Sequence, residues 1–378
     1  MTNLTPARET PLSPARVEAL RVSAGCLNPL DVTQSWPTII DWAIKDGFSG
    51  VLNWRLKQGG FEKLSPEVLA PLRQAVEIRQ KQYILLQARW LQILEFLRTA
   101  GISVVSLKGL VLDRTVYPQA GLRDMDDFDI LVPRESIRTT VAVLEKIGYV
   151  HPRWSDPAVQ QYLMEHFHAI ALLKAGQPII DLHHALSPEV SSRAGIDVLN
   201  SALAGPEPGE RVPAPPHLLF HVLHHGVRSG SGYRLLWPLD AWFIINKCSD
   251  PPTLLDQVVD LALRWQAPLF ILQACRELRV FFGFDILRHE EKLTAQLRLP
   301  EAYLAKHWQK GIARNLSPAL KIAHRLSLRP TVLKNSLFKS IIPPAGHTAL
   351  VHNVDSRQTG FWRFRVLDMV AGFKKIIS

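Results

Sequence analysis

Two carboxylates one residue apart carry the first chemical signal in this chain. The segment Asp127-Phe128-Asp129-Ile130-Leu131-Val132 alternates acidic and apolar residues at its start. Residues two apart in a β-strand share a face, so Asp127 and Asp129 project together while Phe128 and Ile130 point the other way. Paired carboxylates raise each other's pKa unless a cation sits between them. Hard oxygen donors at this spacing suit Mg²⁺, commonly held by one or two carboxylates plus substrate phosphates. The bland alternative is a pair of surface acids beside a strand, in a region that Asp124 and Asp126 make acidic anyway. The apolar alternation of Phe128, Ile130 and Val132 favours the 127/129 pair. Upstream, Ile102 to Leu107 is a β-branched run of strand length, followed by Lys108-Gly109 and a helix-like segment with Leu110, Val111, Leu112 and Val116. A glycine at a helix start just after a strand is where a phosphate is cradled. Gly109 lets the backbone approach it and Lys108 can neutralise it.

Other polar residues fall where a charge needs a reason. Asp181 sits in Ile179-Ile180-Asp181-Leu182, an otherwise hydrophobic strand; its bland reading is a strand-end cap. Arg123, four residues before Asp127, has two equal readings: holding a triphosphate or pairing with a carboxylate. His168 and His183 lie on two proposed hairpin strands, either as phosphate contacts or proton shuttles, or as ordinary strand histidines. His221-x-x-His224-His225 has metal-like spacing but lacks the glutamate of HExxH, so packing or acceptor contact is the better reading. Arg228, Arg234 and Asp240 follow as candidates to bridge a helical domain to the cleft.

Leu107-Lys108-Gly109, Tyr117-Pro118, Arg123 through Asp127 to Val132, and Asp181-Leu182-His183 together resemble the signature of a bacterial nucleotidyltransferase-like family. That family lies within the DNA polymerase β nucleotidyltransferase superfamily. The resemblance spans roughly residues 35 to 245. It implies an α+β fold: a nucleotidyltransferase-like mixed β-sheet with flanking helices, plus a helical C-terminal domain. It also implies Mg²⁺-dependent transfer of a nucleoside monophosphate from an NTP donor to a hydroxyl or phosphate acceptor. In that scheme Asp127, Asp129 and Asp181 are catalytic and hold two Mg²⁺ ions, with Mn²⁺ as a substitute. Lys108, Gly109 and Arg123 bind the nucleotide phosphates; His168 and His183 contact acceptor or phosphate. Lys108-Gly109 stands where the superfamily commonly has Gly-Ser, and Leu110 follows, which removes a hydroxyl or amide-rich contact. The acceptor is a peptide or small molecule in one reading and RNA in another, as for a tRNA-modifying toxin. A third reading is a catalytically degenerate nucleotide-binding scaffold.

These residues need a framework. The chain has 378 residues and a net charge of +10, spread along its length, which favours anionic partners. Three cysteines without CxxC spacing support neither a zinc site nor a disulfide framework, and a reduced cytoplasm fits best. No stretch approaches the length of a transmembrane helix. Residues 1–12 read as a disordered arm, 13–100 as N-terminal helices packed on the core, and 101–186 as the catalytic core. Residues 187–214 read as a linker and 215–378 as the helical C-terminal domain. The longest helical pattern starts at Ser65-Pro66-Glu67 and ends near Gly101. Strands are expected at 102–107, 128–132, 166–173 and 178–183, the last two joined by a turn at Lys174 to Gln177. Helices are expected at 216–227, 235–246, 252–264, 268–282 and 290–307, and a last one at 362–377 with Phe373, Lys374 and Lys375.

Overall fold

A computed structural model describes residues 13–59, 64–228, 235–284, 287–307, 344–358 and 361–368. The expected arm at 1–12, Arg234, and the end of the last helix with Phe373, Lys374 and Lys375 lie outside the described residues. The described residues begin with three short helices, α1 (Pro14–Ala24), α2 (Trp36–Asp46) and α3 (Ser49–Lys57). Ser13 accepts from the Arg16 N–H and Pro14 takes the first helical position, where its missing N–H costs nothing. Helix α4 (Pro66–Thr99) runs 34 residues, about 50 Å at the usual helical rise. It starts on a Ser65 cap, as the sequence predicts.

The sheet follows: β1 (Val104–Ser106), α5 (Lys108–Thr115), β2 (Asp127–Leu131), α6 (Ile137–Glu145), α7 (Pro157–His166), β3 (Ala169–Leu172) and β4 (Ile179–His183). After α8 (Arg193–Ser201) come the short strands β5 (Leu203–Ala204) and β6 (Glu210–Val212). The six strands form one mixed sheet in the order β3-β4-β2-β1-β6-β5. β2 and β4 are parallel neighbours, while β1 runs antiparallel to β2 and parallel to β6. The 187–214 stretch, expected to be a linker, therefore supplies two strands of the central sheet. Its strand signal is weak because Glu210 is buried there. That carboxylate is matched by hydrogen bonds from Ser106 on β1 and Arg114 on α5, partners about a hundred residues away. Helix α7 was also not anticipated, although Asp156-Pro157 is a cap followed by a proline at the first turn; the Asp156 carboxylate accepts from the Ala158 N–H.

Among the described residues from 215 on, helices dominate: α9 (Pro215–Arg228), α10 (Leu236–Lys247), α11 (Pro251–Arg264) and α12 (Pro268–Phe282). The pattern expected as one helix over 290–307 is two, α13 (Leu287–Thr294) and α14 (Leu299–His307). Pro300 lies at the start of the second, where a continuous helix would need its N–H. A further helix, α15 (Ala345–Val351), packs on α7, and residues 361–368 are helical, where the last helix was expected to begin. The chain after α15 is tied down by the Ser356 N–H, which donates to Asp156 at 2.8 Å, and by Arg153, which donates to the Val354 carbonyl. All three cysteines are free. Among the described residues no helix is long and apolar enough to cross a membrane.

The pleat of the sheet separates two cores. Val104, Phe128, Ile130, Ile170, Leu172, Ile180 and Leu182 face a cluster built with α6, α7 and the C-terminal half of α4. Val105, Leu107 and Leu131 face a second cluster, which contains α1–α3, the start of α4, and α9–α12. Apolar side chains from both ends of the sequence thus meet in one body on that second side. Asp127, Asp129, Asp181 and His183 alternate with the first set, so they share the second face, under the helical layer.

Candidate active site

The parallel pairing of β2 and β4 brings the carboxylates together. Asp129 lies directly across from Asp181, and Leu131 across from His183. Two residues on, in the same face, is one pleat repeat, so the His183 imidazole leans beside Asp129; its Nε2 is 2.8 Å from Asp129 Oδ1. Lys108 enters from the start of α5, and its Nζ is 2.5 Å from the same oxygen. Asp129 is 2% exposed and Lys108 18%. Burial opposes the charge on Asp129, but the Lys108 ammonium and the His183 ring hold its carboxyl well below the usual range. The neighbours go the other way. Asp127 is pushed up to about 6 by burial and by the charge on Asp129, against the pull of Lys108. Asp181 is raised by burial and by Asp129. One fixed anion is therefore flanked by two carboxyls whose charged forms are disfavoured by burial and by Asp129, and a further cation would favour those charged forms.

Lys108 has φ +45°, the left-handed region that a side-chain-bearing residue occupies at a cost of about 1 kcal/mol. The sharp turn from β1 into α5 aims its side chain at Asp129. Gly109 follows for a packing reason: a Cβ there would lie 2.9 Å from both Arg123 Nη1 and Met125 Cβ. It also lines the cavity described next.

Above the carboxylates is a cavity of about 440 Å³ between the sheet face and the helical layer. Lys108, Asp127, Asp129 and Asp181 form its floor, and His225, Trp237 and Asp240 from α9 and α10 line its wall. Arg123 reaches the cavity but its guanidinium is committed. It donates to Asp240 at 2.7 and 2.9 Å and to the Asp124 carbonyl at 3.0 Å. Of its two sequence readings, the carboxylate pair is the one in place. Tyr117 donates to the same Asp240 at 2.6 Å, so the Tyr117-Pro118 motif and Arg123 serve one buried junction between the sheet and α10. Asp240 does bridge the helices to the cleft; Arg228 instead pairs with Glu189 at 2.7 Å.

The remaining histidines divide. His168 packs ring to ring with His183 at 5.3 Å, and burial pushes it down to about 3; it does not line the cavity. His221 and His224 are buried, His224 between Phe220 and Phe270, and only His225 of that trio reaches the cavity. Asp113 was not singled out from sequence. It is buried on α5 and accepts from the Gly121 and Arg123 N–H groups at 2.9 and 3.1 Å, which shapes the loop that delivers Arg123 and Asp124. An acid inside the apolar run Leu110 to Val116 was the available signal.

The donor set suits a cation. One ligand atom each from Asp129, Asp181 and His183 lie within 4.8 Å of one another, and the Lys108 ammonium already stands on Asp129 as a positive charge in that place. Asp127 completes the acidic face from one pleat away.

A family model described as an uncharacterised nucleotidyltransferase matches residues 33–283, well over half of the chain and all six strands. No curated protein and no solved structure matches.

Proposed function

The chain belongs to the uncharacterised nucleotidyltransferase family, and on that premise we propose that it moves a nucleoside monophosphate from an NTP to a hydroxyl or phosphate acceptor, a peptide or small molecule before RNA. The observation that carries this reading is the convergence of Asp127, Asp129 and Asp181 on one sheet face at the floor of the cavity. Asp127, Asp129 and Asp181, with His183 beside them, would hold divalent metal, Mg²⁺ in the simplest case. Bound there, it supplies charge neutralisation for the triphosphate and lowers the pKa of the attacking hydroxyl. Asp129 provides the permanent negative charge of the site. Lys108, at the start of α5, lies on the floor of the cavity, within reach of donor phosphate. Asp181 is the carboxylate on the strand farther from Lys108, suited to orient the acceptor hydroxyl. Positioning and electrostatics do most of the work in such transfers.

The test is thermal stability with ATP, GTP, CTP and UTP, each with and without Mg²⁺, followed by turnover of the labelled nucleotide that binds. A ligand at a hundred times its Kd stabilises by about 2.7 kcal/mol. The expected result is a metal-dependent rise for at least one NTP, absent in Asp127→Asn/Asp129→Asn. Retained turnover in that double variant would refute the site. A second reading, a nucleotide-binding scaffold without turnover, is favoured by one observation: Lys108 neutralises Asp129 from within the chain. Metal-dependent binding of an NTP with no labelled product across peptide, small-molecule and RNA acceptors would select it.

A further inference from the structure

The donor set that the sheet assembles is not all oxygen. We propose that His183 is a metal ligand, so that the ion beside β4 sits in a mixed nitrogen–oxygen site with Asp129 and Asp181 and is drawn from the first-row transition metals, Mn²⁺ to Zn²⁺, in preference to Mg²⁺. The inference deepens the nucleotidyl-transfer reading and rests on it for the ion's task.

Four observations carry it. The parallel register fixes Asp181 beside Asp129 and places His183 one pleat further on the same face, so backbone pairing, not a flexible loop, holds the imidazole against the carboxylates. One ligand atom from each of the three residues lies within 4.8 Å of the others. Ligands on a single ion at about 2.1 Å stand roughly 3 to 4 Å apart, so closure by about 2 Å at most completes the set. His183 is 1% exposed, and its Nδ1 has no hydrogen-bond partner while Nε2 faces Asp129. Nε2 is therefore the ring atom turned to the carboxylates, and it is the one that would coordinate. Finally, the position already attracts a cation: the Lys108 ammonium and His183 converge on the same Asp129 oxygen.

The choice of metal follows from the imidazole. Mg²⁺ keeps to oxygen ligands and sheds water reluctantly, whereas imidazole nitrogen raises affinity along the series from Mn²⁺ towards Cu²⁺ and Zn²⁺. Two carboxylates with one imidazole therefore discriminate against Mg²⁺ in a way that three carboxylates do not. The Asp127 side of the face, with no imidazole, stays suited to Mg²⁺ bound with donor phosphates.

Mn²⁺ is the probe, because it reports its own ligands. The full chain is titrated with Mn²⁺ alone and with Mn²⁺ plus NTP, and bound Mn²⁺ is examined by pulsed electron paramagnetic resonance for coupling to nitrogen. The expected result is a ¹⁴N coupling that becomes a ¹⁵N coupling when the histidines are ¹⁵N-labelled. It is lost in His183→Gln and kept in His225→Gln, whose histidine lines the cavity without joining the cluster. Mn²⁺ is also expected to displace Mg²⁺ with about a tenfold or greater preference, which His183→Gln abolishes. Should His183→Gln fail to fold, the labelled wild type and His225→Gln decide: coupling in both supports the proposal. Bound Mn²⁺ without nitrogen coupling overturns it and leaves the nucleotidyl-transfer reading standing on carboxylates alone. Coupling that survives in His183→Gln overturns it in favour of another histidine. Absence of Mn²⁺ binding, even with NTP present, overturns both the ligand assignment and the metal-dependent reading on which it rests.

Discussion

Replacing Lys108 with methionine removes the ammonium and keeps most of the apolar stem. In the wild type its Nζ sits 2.5 Å from Asp129 Oδ1, with both side chains largely withdrawn from water. Breaking a buried ion pair by deleting one partner costs about 3–5 kcal/mol, because the other charge is left behind. His183 still faces the same oxygen, so the lower end applies, and Lys108→Met without metal is expected to lose about 3 kcal/mol. The effect on metal has the opposite sign. A divalent ion that takes Asp129 must first displace the ammonium, and a hydrogen bond to a charged group is worth about 1.5–3 kcal/mol net. Without that competitor, Mn²⁺ or Mg²⁺ should bind about 10- to 100-fold tighter, while NTP affinity falls through loss of a phosphate partner. The assay is calorimetric titration of each ion, alone and with a non-hydrolysable NTP, beside the melting temperature of each state. Lys108→Gly serves as the second variant. It also relieves the positive φ, worth about 1 kcal/mol, so its apo stability should exceed that of Lys108→Met while its metal affinity matches. Metal affinity that is unchanged or weaker in both variants would refute the competition between Lys108 and the ion.

Three further outcomes are expected. Asp240→Asn breaks the two-pronged contact with Arg123 and should cost about 3–5 kcal/mol, read by chemical denaturation; a loss under 1 kcal/mol would show that the junction with α10 is not held by this pair. His224 is fully buried and pushed down to about 4 by burial and by Arg228, against Glu189. Its folded pKa is depressed, so below about 6.5 the unfolded chain takes up a proton that the folded chain refuses; stability is full above that pH and falls as pH drops towards 4. This one group should account for about 2 kcal/mol of loss at pH 5, and His224→Phe should flatten the melting-temperature profile between pH 7 and 5. Gly346→Ala would place a Cβ 2.2 Å from the Ala158 carbonyl oxygen, so it should lift α15 from α7 and cost about 1–3 kcal/mol. Limited proteolysis should then cut the C-terminal segment faster without altering metal binding.

The strand bearing Asp127 and Asp129 was legible because its face is declared locally: Phe128, Ile130 and Val132 alternate with the acids. Asp181 was legible for the same reason, as a charge on an apolar strand. What stayed hidden were partners supplied from far along the chain. Glu210 looks like part of a polar, glycine-rich link until Ser106 and Arg114 are seen to satisfy it. Arg123 had two equal readings because the deciding group, Asp240, lies 117 residues away. The closeness of His183 to Asp129 depends on register between two parallel strands, which no local pattern specifies. Alternation fixes which way a side chain faces; only pairing fixes what it meets.

The shared core has a consequence for modularity. The carboxylates, Lys108 and His183 all fall within residues 108–183, and that stretch looks like a transplantable cassette. Yet the face that bears them is backed by apolar side chains from α1–α3 and from α9–α12 together, and its sheet is completed by β6. A cassette cut at residue 186 would lose a sheet neighbour of β1 and lay Val105, Leu107 and Leu131 open to water. A graft of this site onto another protein, or a trimmed version for engineering, must carry both flanks of the chain, because the two ends roof the middle.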